Sequence, residues 1–183
     1  MSKHSVLIIS GTNRPGSNAL KIAQILQGHY QTQQQHVSLF SLSELPAEMF
    51  LPTAYADKPP VVKELQRRIM DAGGLHMVAP EYNGSFPGVL KYFIDMLKFP
   101  ESFEHKPVAF IGVSNGMWGA LRAVEQLQGI FGYRNAHCFP DRIFIPGIAQ
   151  KLGSSGELLD PSIDERIAKQ AAGFATFIHK LRV

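Results

Sequence analysis

The sequence predicts a doubly wound α/β fold, a five-stranded parallel sheet in the order 2-1-3-4-5 with helices on both faces. Three observations carry this. Short apolar runs alternate with helix-period segments about five times along the chain. The first of those runs is β-branched and apolar on consecutive positions, as a strand buried on both faces must be. The chain has 183 residues, which leaves no room for a sixth full unit and needs no second domain, so residues 1–183 are expected to form one domain.

The first strand is Val6 to Ile9, ending at Ser10. A polar loop, Gly11 to Asn18, leads into a helix whose apolar positions Leu20, Ala23 and Leu26 follow behind a Ser17 or Asn18 cap; it is expected to end near Gly28 to Tyr30. His36 to Phe40 alternates as a second strand. Residues 44–60 hold four prolines and no sustained period, yet carry Met49, Phe50, Leu51 and Tyr55. Apolar groups in so long a connection are expected to cover the sheet edge, cap a ligand or meet a partner subunit. Val61 to Ala72 is a helix, stopped by Gly73-Gly74, and Leu75 to Ala79 is the third strand.

From Pro87, a favoured first helical residue, an apolar helix is predicted as far as Pro100. It reads as apolar on several sides, which suggests burial between subunits. Val108 to Val113 forms the fourth strand, Ala120 to Phe131 the next helix, and Ala136 to Ile145 a fifth strand broken by Pro140. A last helix runs from about Pro161 to Leu181.

Composition removes several classes of function. The formal charge is +3 and is spread along the chain without a basic run, which argues against nucleic acid and slightly favours anionic ligands. The opening MSKHSVLIIS is too short in apolar residues for a leader, and no stretch approaches a membrane span, so a cytoplasmic location is expected. One cysteine, Cys138, excludes an internal disulfide and any multi-cysteine cluster. The seven histidines are scattered, and no metal site is expected. His137 and Cys138 are neighbours on a strand and point to opposite faces, so packing explains them better than a nucleophile pair does.

Three loops, at 10–18, 80–85 and 114–119, follow the C-terminal ends of strands one, three and four, where ligands of such sheets bind. The first joins a buried strand to a helix N-terminus, whose free N–H groups and dipole suit an anion. Its candidates are Ser10, Thr12, Asn13, Arg14, Ser17 and Asn18. Gly11 and Gly16 have the spacing of a triphosphate loop, but Ser17 stands where that loop needs lysine, and the dinucleotide fingerprint is missing. A terminal monophosphate remains.

The stretch PEYNGSFPGVLKYFIDML, residues 80–97, together with GTNRPGSN, residues 11–18, resembles the NADPH-dependent FMN reductases, a flavodoxin-like group that includes azo-dye, quinone and chromate reductases. The resemblance covers nearly the whole chain. Members carry P-E-Y-N-G-S, then P-G-x-L-K and an I-D pair. It implies an FMN site built from the first loop, from Pro80, Glu81, Tyr82, Asn83 and Gly84, and from Ser114, Asn115 and Gly116. The flavin carries the chemistry and no side chain is a catalyst. Backbone N–H groups of the second and third loops could tune the ring, with Tyr82 packed along it and Glu81 holding the loop or pairing across an interface. The third loop departs from the family: Met117 and Trp118 stand where small residues are usual, and could shield the flavin, stack on it or face a neighbouring subunit.

The expected activity is transfer of hydride from NADPH or NADH to FMN and then, in ping-pong fashion, to a small electron acceptor such as a quinone, azo compound, metal oxyanion or free flavin. A homodimer or homotetramer is implied by the same resemblance. Two rivals use the same sheet. A flavodoxin-type electron carrier normally presents acidic surface, which +3 opposes. A phosphoryl-transfer or receiver domain needs a nucleophile that this chain lacks at its first loop.

Overall fold

The computed structural model describes residues 5–181; Met1–His4, part of the stretch read above as too short for a leader, lie outside the described residues. Five parallel strands, β1 (Val6–Ser10), β2 (Val37–Ser41), β3 (Gly74–Pro80), β4 (Pro107–Val113) and β5 (His137–Ile145), pair in the order β2-β1-β3-β4-β5. The helices are α1 (Asn18–Thr32), α2 (Pro60–Asp71), α3 (Gly88–Asp95), α4 (Leu121–Tyr133) and α5 (Pro161–Leu181).

Alternation along the buried strands assigns the two faces. Val6 and Ile8 of β1, with Ala109 and Ile111 of β4, pack under α1 and α5. Leu7 and Ile9, with Val108 and Phe110, pack under α2, α3 and α4. Every residue of β1, β3 and β4 is buried, so these strands had to be apolar on consecutive positions.

Pro140 does break the fifth strand. Val108 pairs with Cys138 but Phe110 pairs with Arg142, so three residues of β5 bulge opposite Ala109. The carbonyls this strands are satisfied from α5: the Gln170 Nε2 group donates to Phe110 O at 3.1 Å and to Asp141 O at 2.9 Å. Its Oε1 then faces His76 Nε2 at 3.1 Å, while His76 Nδ1 lies 2.8 Å from Tyr30 Oη. The amide orientation assigns the ring proton to Nε2, leaving Nδ1 to accept from the tyrosine hydroxyl. Complete burial of His76 lowers its pKa to about 3, so the ring is neutral.

Two expectations are corrected. The helix after Pro87 ends at Asp95 rather than near Phe99, with Met96 closing it by a backbone bond to Phe93 O. Nor is it apolar all round: Lys91 and Asp95, one turn apart, pair at 2.7 Å on an exposed stripe. Segment 44–60 holds two short 3₁₀ turns, Ala47–Phe50 and Pro52–Tyr55. Met49 and Ala54 enter the core, Tyr92 Oη donates to Met49 O, and the Phe50 ring lies 5.1 Å from that of Tyr92. It therefore packs on α3, covering the core on that side of the sheet.

Candidate functional site

The three loops meet around one cavity of about 520 Å³ beyond the C-terminal ends of β1, β3 and β4. Of the residues expected there, Arg14, Ser17, Asn18, Pro80, Glu81, Tyr82, Asn83, Gly84, Ser114, Asn115 and Gly116 line it. Ser10 and Thr12 are fully buried and Asn13 is exposed; these three do not line the cavity. Pro15, Gly16, Ala19, Val113 and Ile148 line it without having been expected. Ile148 belongs to the turn after β5, which carries no polar signature in sequence.

One wall is the start of α1. Gly16, at φ +61°, turns the chain so that Ser17 caps the helix, its Oγ accepting from Leu20 N–H at 3.2 Å. No acidic residue occupies the first turn of α1, so the helix itself does not offset the positive end of its dipole. Among the described residues, no acceptor is bonded to the N–H groups of Ser17, Asn18 or Ala19. Ser17 Oγ accepts in the cap and keeps its O–H to donate, while the hydroxyl of Thr12 is used behind the wall, so the backbone N–H groups and the Ser17 O–H supply the donors here.

Thr12 Oγ1 lies 3.0 Å from Tyr82 Oη and also accepts from Arg14 N–H at 3.3 Å. This bond joins the first loop to the second. The second loop is a two-residue reversal: Tyr82 N–H donates to Ser85 O at 2.7 Å and Ser85 N–H to Tyr82 O at 3.1 Å, with Asn83 at φ 52° and Gly84 at φ 77°. Positive φ at both central positions is what an Asn-Gly pair accommodates. Gln126 of α4 pins the turn, donating to Gly84 O at 3.3 Å and accepting from Ser85 Oγ at 2.5 Å.

The third loop is held to the last strand. Ser114 N–H donates to Ile145 O, Ile148 N–H to Ser114 O, and Ala149 N–H to Asn115 Oδ1 at 3.0 Å. Glu81 is mostly buried; Oε1 lies 3.8 Å from Arg122 Nη1, and Oε2 has no partner among the described residues. Cys138 is half-buried on β5, outside this cavity, and burial pushes its thiol pKa up, so it is not a poised nucleophile.

A wall of free N–H groups at a helix start, beside two tight turns that also leave N–H groups unused at Asn83, Gly84, Asn115 and Gly116, suits a ligand with an anionic tail and a flat, acceptor-rich head. That is the donor set a mononucleotide cofactor requires, and the donors present fit it. The fold and cavity thus define a mononucleotide-type α/β protein.

Residues 4–150 match the family described as NADPH-dependent FMN reductase. The chain belongs to that family and is an oxidoreductase. It is 30% identical over 176 residues to the NADH:(hydroxy)cinnamate reductase subunit of Vibrio ruber, covering 94% of this chain and 84% of that one. It is 28% identical over 185 residues to the quinone reductase of Escherichia coli K12, covering 99% and 98%. Among solved structures, it superposes on the flavoenzyme NAD(P)H:(acceptor) oxidoreductase of Paracoccus denitrificans with a TM-score of 0.79 and 25% identity, covering 96% of this chain and 97% of that one.

Proposed function

We propose that the whole chain works as one FMN-binding domain that takes two electrons from NADPH or NADH and passes them to a small acceptor, a quinone or azo compound before a metal oxyanion or free flavin. The observation that carries this reading is the convergence of three strand-end loops on one cavity, with the start of α1, whose first turn holds no acidic residue, as a wall. Quinones are favoured by the name of the Escherichia coli relative.

When bound, FMN would supply the two-electron chemistry, which no side chain in the cavity provides. Ser17, Asn18 and Ala19 would hold its phosphate with backbone N–H groups, with Arg14 adding charge at the rim. The Asn83-Gly84 turn and the Asn115-Gly116 backbone would fix the ring edge. Thr12 and Tyr82 set the separation of the phosphate wall from the ring wall. Donor and acceptor then use the open side in turn, which is ping-pong order.

A groove of about 790 Å³ between α3 and α4 supports a homodimer or homotetramer. Phe86, Ile94 and Ile130 line it, and Phe99 and Tyr133 stand more than half exposed on it. Gln126 also lines it, so a second copy there would abut the 82–85 turn.

The test is spectroscopic. Purified protein incubated with FMN and desalted should stay yellow and bleach on anaerobic addition of NADPH. Colourless protein after desalting, or yellow protein that neither NADPH nor NADH bleaches, contradicts the reading.

A further inference from the structure

A separate cavity of about 480 Å³ lies against α2 and shares no lining residue with the first. It is walled by α2, by residues 56–58 that lead into that helix, and by Lys98, just past the end of α3. Three lysines, Lys58, Lys63 and Lys98, line it against one carboxylate, Asp57, which leaves an excess of two positive charges. Asp57 Oδ1 holds Lys63 Nζ at 2.8 Å. Lys58 Nζ reaches only the carbonyl of Tyr55, at 3.5 Å, and Lys98 Nζ has no partner among the described residues. The acidic side chains of α2 and α3 are matched elsewhere: Glu64 and Asp71 pair with Arg67, and Asp95 with Lys91. α2 itself starts behind Pro59 with no capping side chain and no acidic residue in its first turn, so its dipole adds to the same sign.

Surface lysines alone make only a solvated patch; Gln66 makes this one a site. Its side chain lines the cavity although the residue is only 4% exposed, and its Nε2 donates to Met96 O at 2.8 Å. That bond fixes the amide, because turning it over would set Oε1 against a carbonyl oxygen. Oε1 accepts no bond among the described residues and is not sealed into the interior, so it opens onto the cavity. An acceptor fixed in this way asks a ligand for a donor, while the lysines ask it for an anion.

We propose that this cavity binds a small phosphate that carries an O–H group, its oxygens accepting from Lys58, Lys63 and Lys98 and its O–H donating to Gln66 Oε1. Near neutral pH inorganic phosphate keeps an O–H on the anion itself. The phosphate ester of a small polyol has its O–H groups on the carbon chain, for which the volume leaves room. Sulfate has the charge and the shape but no O–H, so its lone pairs would face that of Oε1. The site stands apart from the flavin reading, since none of its residues belongs to the cavity beside α1.

The experiment is amide NMR on the full, isotope-labelled chain, titrated near neutral pH and at constant ionic strength with inorganic phosphate, glycerol 3-phosphate and sulfate. Saturable shifts are expected at Lys58, Lys63, Lys98 and the Gln66 side-chain amide with a phosphate, and sulfate should bind at least about tenfold more weakly. The tighter of the two phosphates identifies the source as free ion or ester. In the double variant Lys58→Ala, Lys98→Ala, neither of whose lysines is buried, these shifts should vanish while the melting temperature holds.

Sulfate binding as tightly as phosphate, or shifts that survive the double substitution, overturns the proposal. So do shifts confined to residues 16–19, since phosphate then serves only the start of α1. FMN uptake plays no part in this test: a failure here leaves the cofactor reading standing, and a chain that takes up no FMN leaves the phosphate site standing.

Discussion

Thr12 and Tyr82, seventy positions apart in sequence, touch through their hydroxyls at 3.0 Å. The contact ties the loop that starts α1 to the turn that follows β3. Thr12 is wholly buried and accepts a second bond from Arg14 N–H, so the tyrosine is held against a fixed point. The two walls of the cavity are thereby kept at one separation.

Removing that hydroxyl loosens the walls without opening the core. Tyr82→Phe should weaken FMN binding about three- to tenfold, the value of one neutral hydrogen bond. Flavin-fluorescence titration measures it, and thermal unfolding of the apoprotein should barely move. An equal loss of stability would mean that the bond serves the fold rather than the site.

Ser17 separates capping from ligand binding. Ser17→Asp keeps a good cap and adds favourable charge at the helix start, so the melting temperature should hold or rise. The same charge opposes a phosphate, and FMN affinity should fall by at least about tenfold. Riboflavin, which has no phosphate, should be affected much less.

The Tyr30, His76 and Gln170 chain predicts a pH dependence. The folded pKa of His76 is about 3, below the ordinary value of 6.5, because burial disfavours the charged ring. Below pH 6.5 the unfolded state takes a proton that the native state refuses. This contribution is therefore complete above pH 6.5 and is lost as pH falls toward 3, with a slope on the order of 1.4 kcal/mol per pH unit. Urea unfolding at pH 7, 5.5 and 4 measures it, and in His76→Gln the slope should be shallower by that one-proton amount.

Gln170 predicts a larger effect. Gln170→Leu removes donors from Phe110 O and Asp141 O and the acceptor from His76 Nε2, the Phe110 and His76 groups lying in the interior. The expected loss is about 3 kcal/mol or more, seen as a lower urea midpoint.

What could be read in advance follows from the range of each cause. Strand identity and order came from local apolar runs and the punctuation between them, so β1 through β5 were expected within a residue or two at most ends. The cavity lining was largely readable because Arg14 to Asn18, Pro80 to Gly84 and Ser114 to Gly116 are short polar stretches at strand ends. Pro140 announced a break in the fifth strand, but its remedy, Gln170, lies thirty residues on in a helix that reads as ordinary. Thr12 looked like a ligand hydroxyl because nothing local reveals that Tyr82 occupies it. The early end of α3 depended on packing around Met96 and Leu97, where apolar composition alone would have continued the helix.

The central claim is that the start of α1 grips a phosphate while the later loops frame a flat ring. Parallel titrations of the apoprotein with FMN and riboflavin address it most directly. The account predicts FMN binding at least about a hundredfold tighter, as two or more charge-assisted bonds to phosphate would give; equal affinity for the two, or uptake of neither, would contradict it.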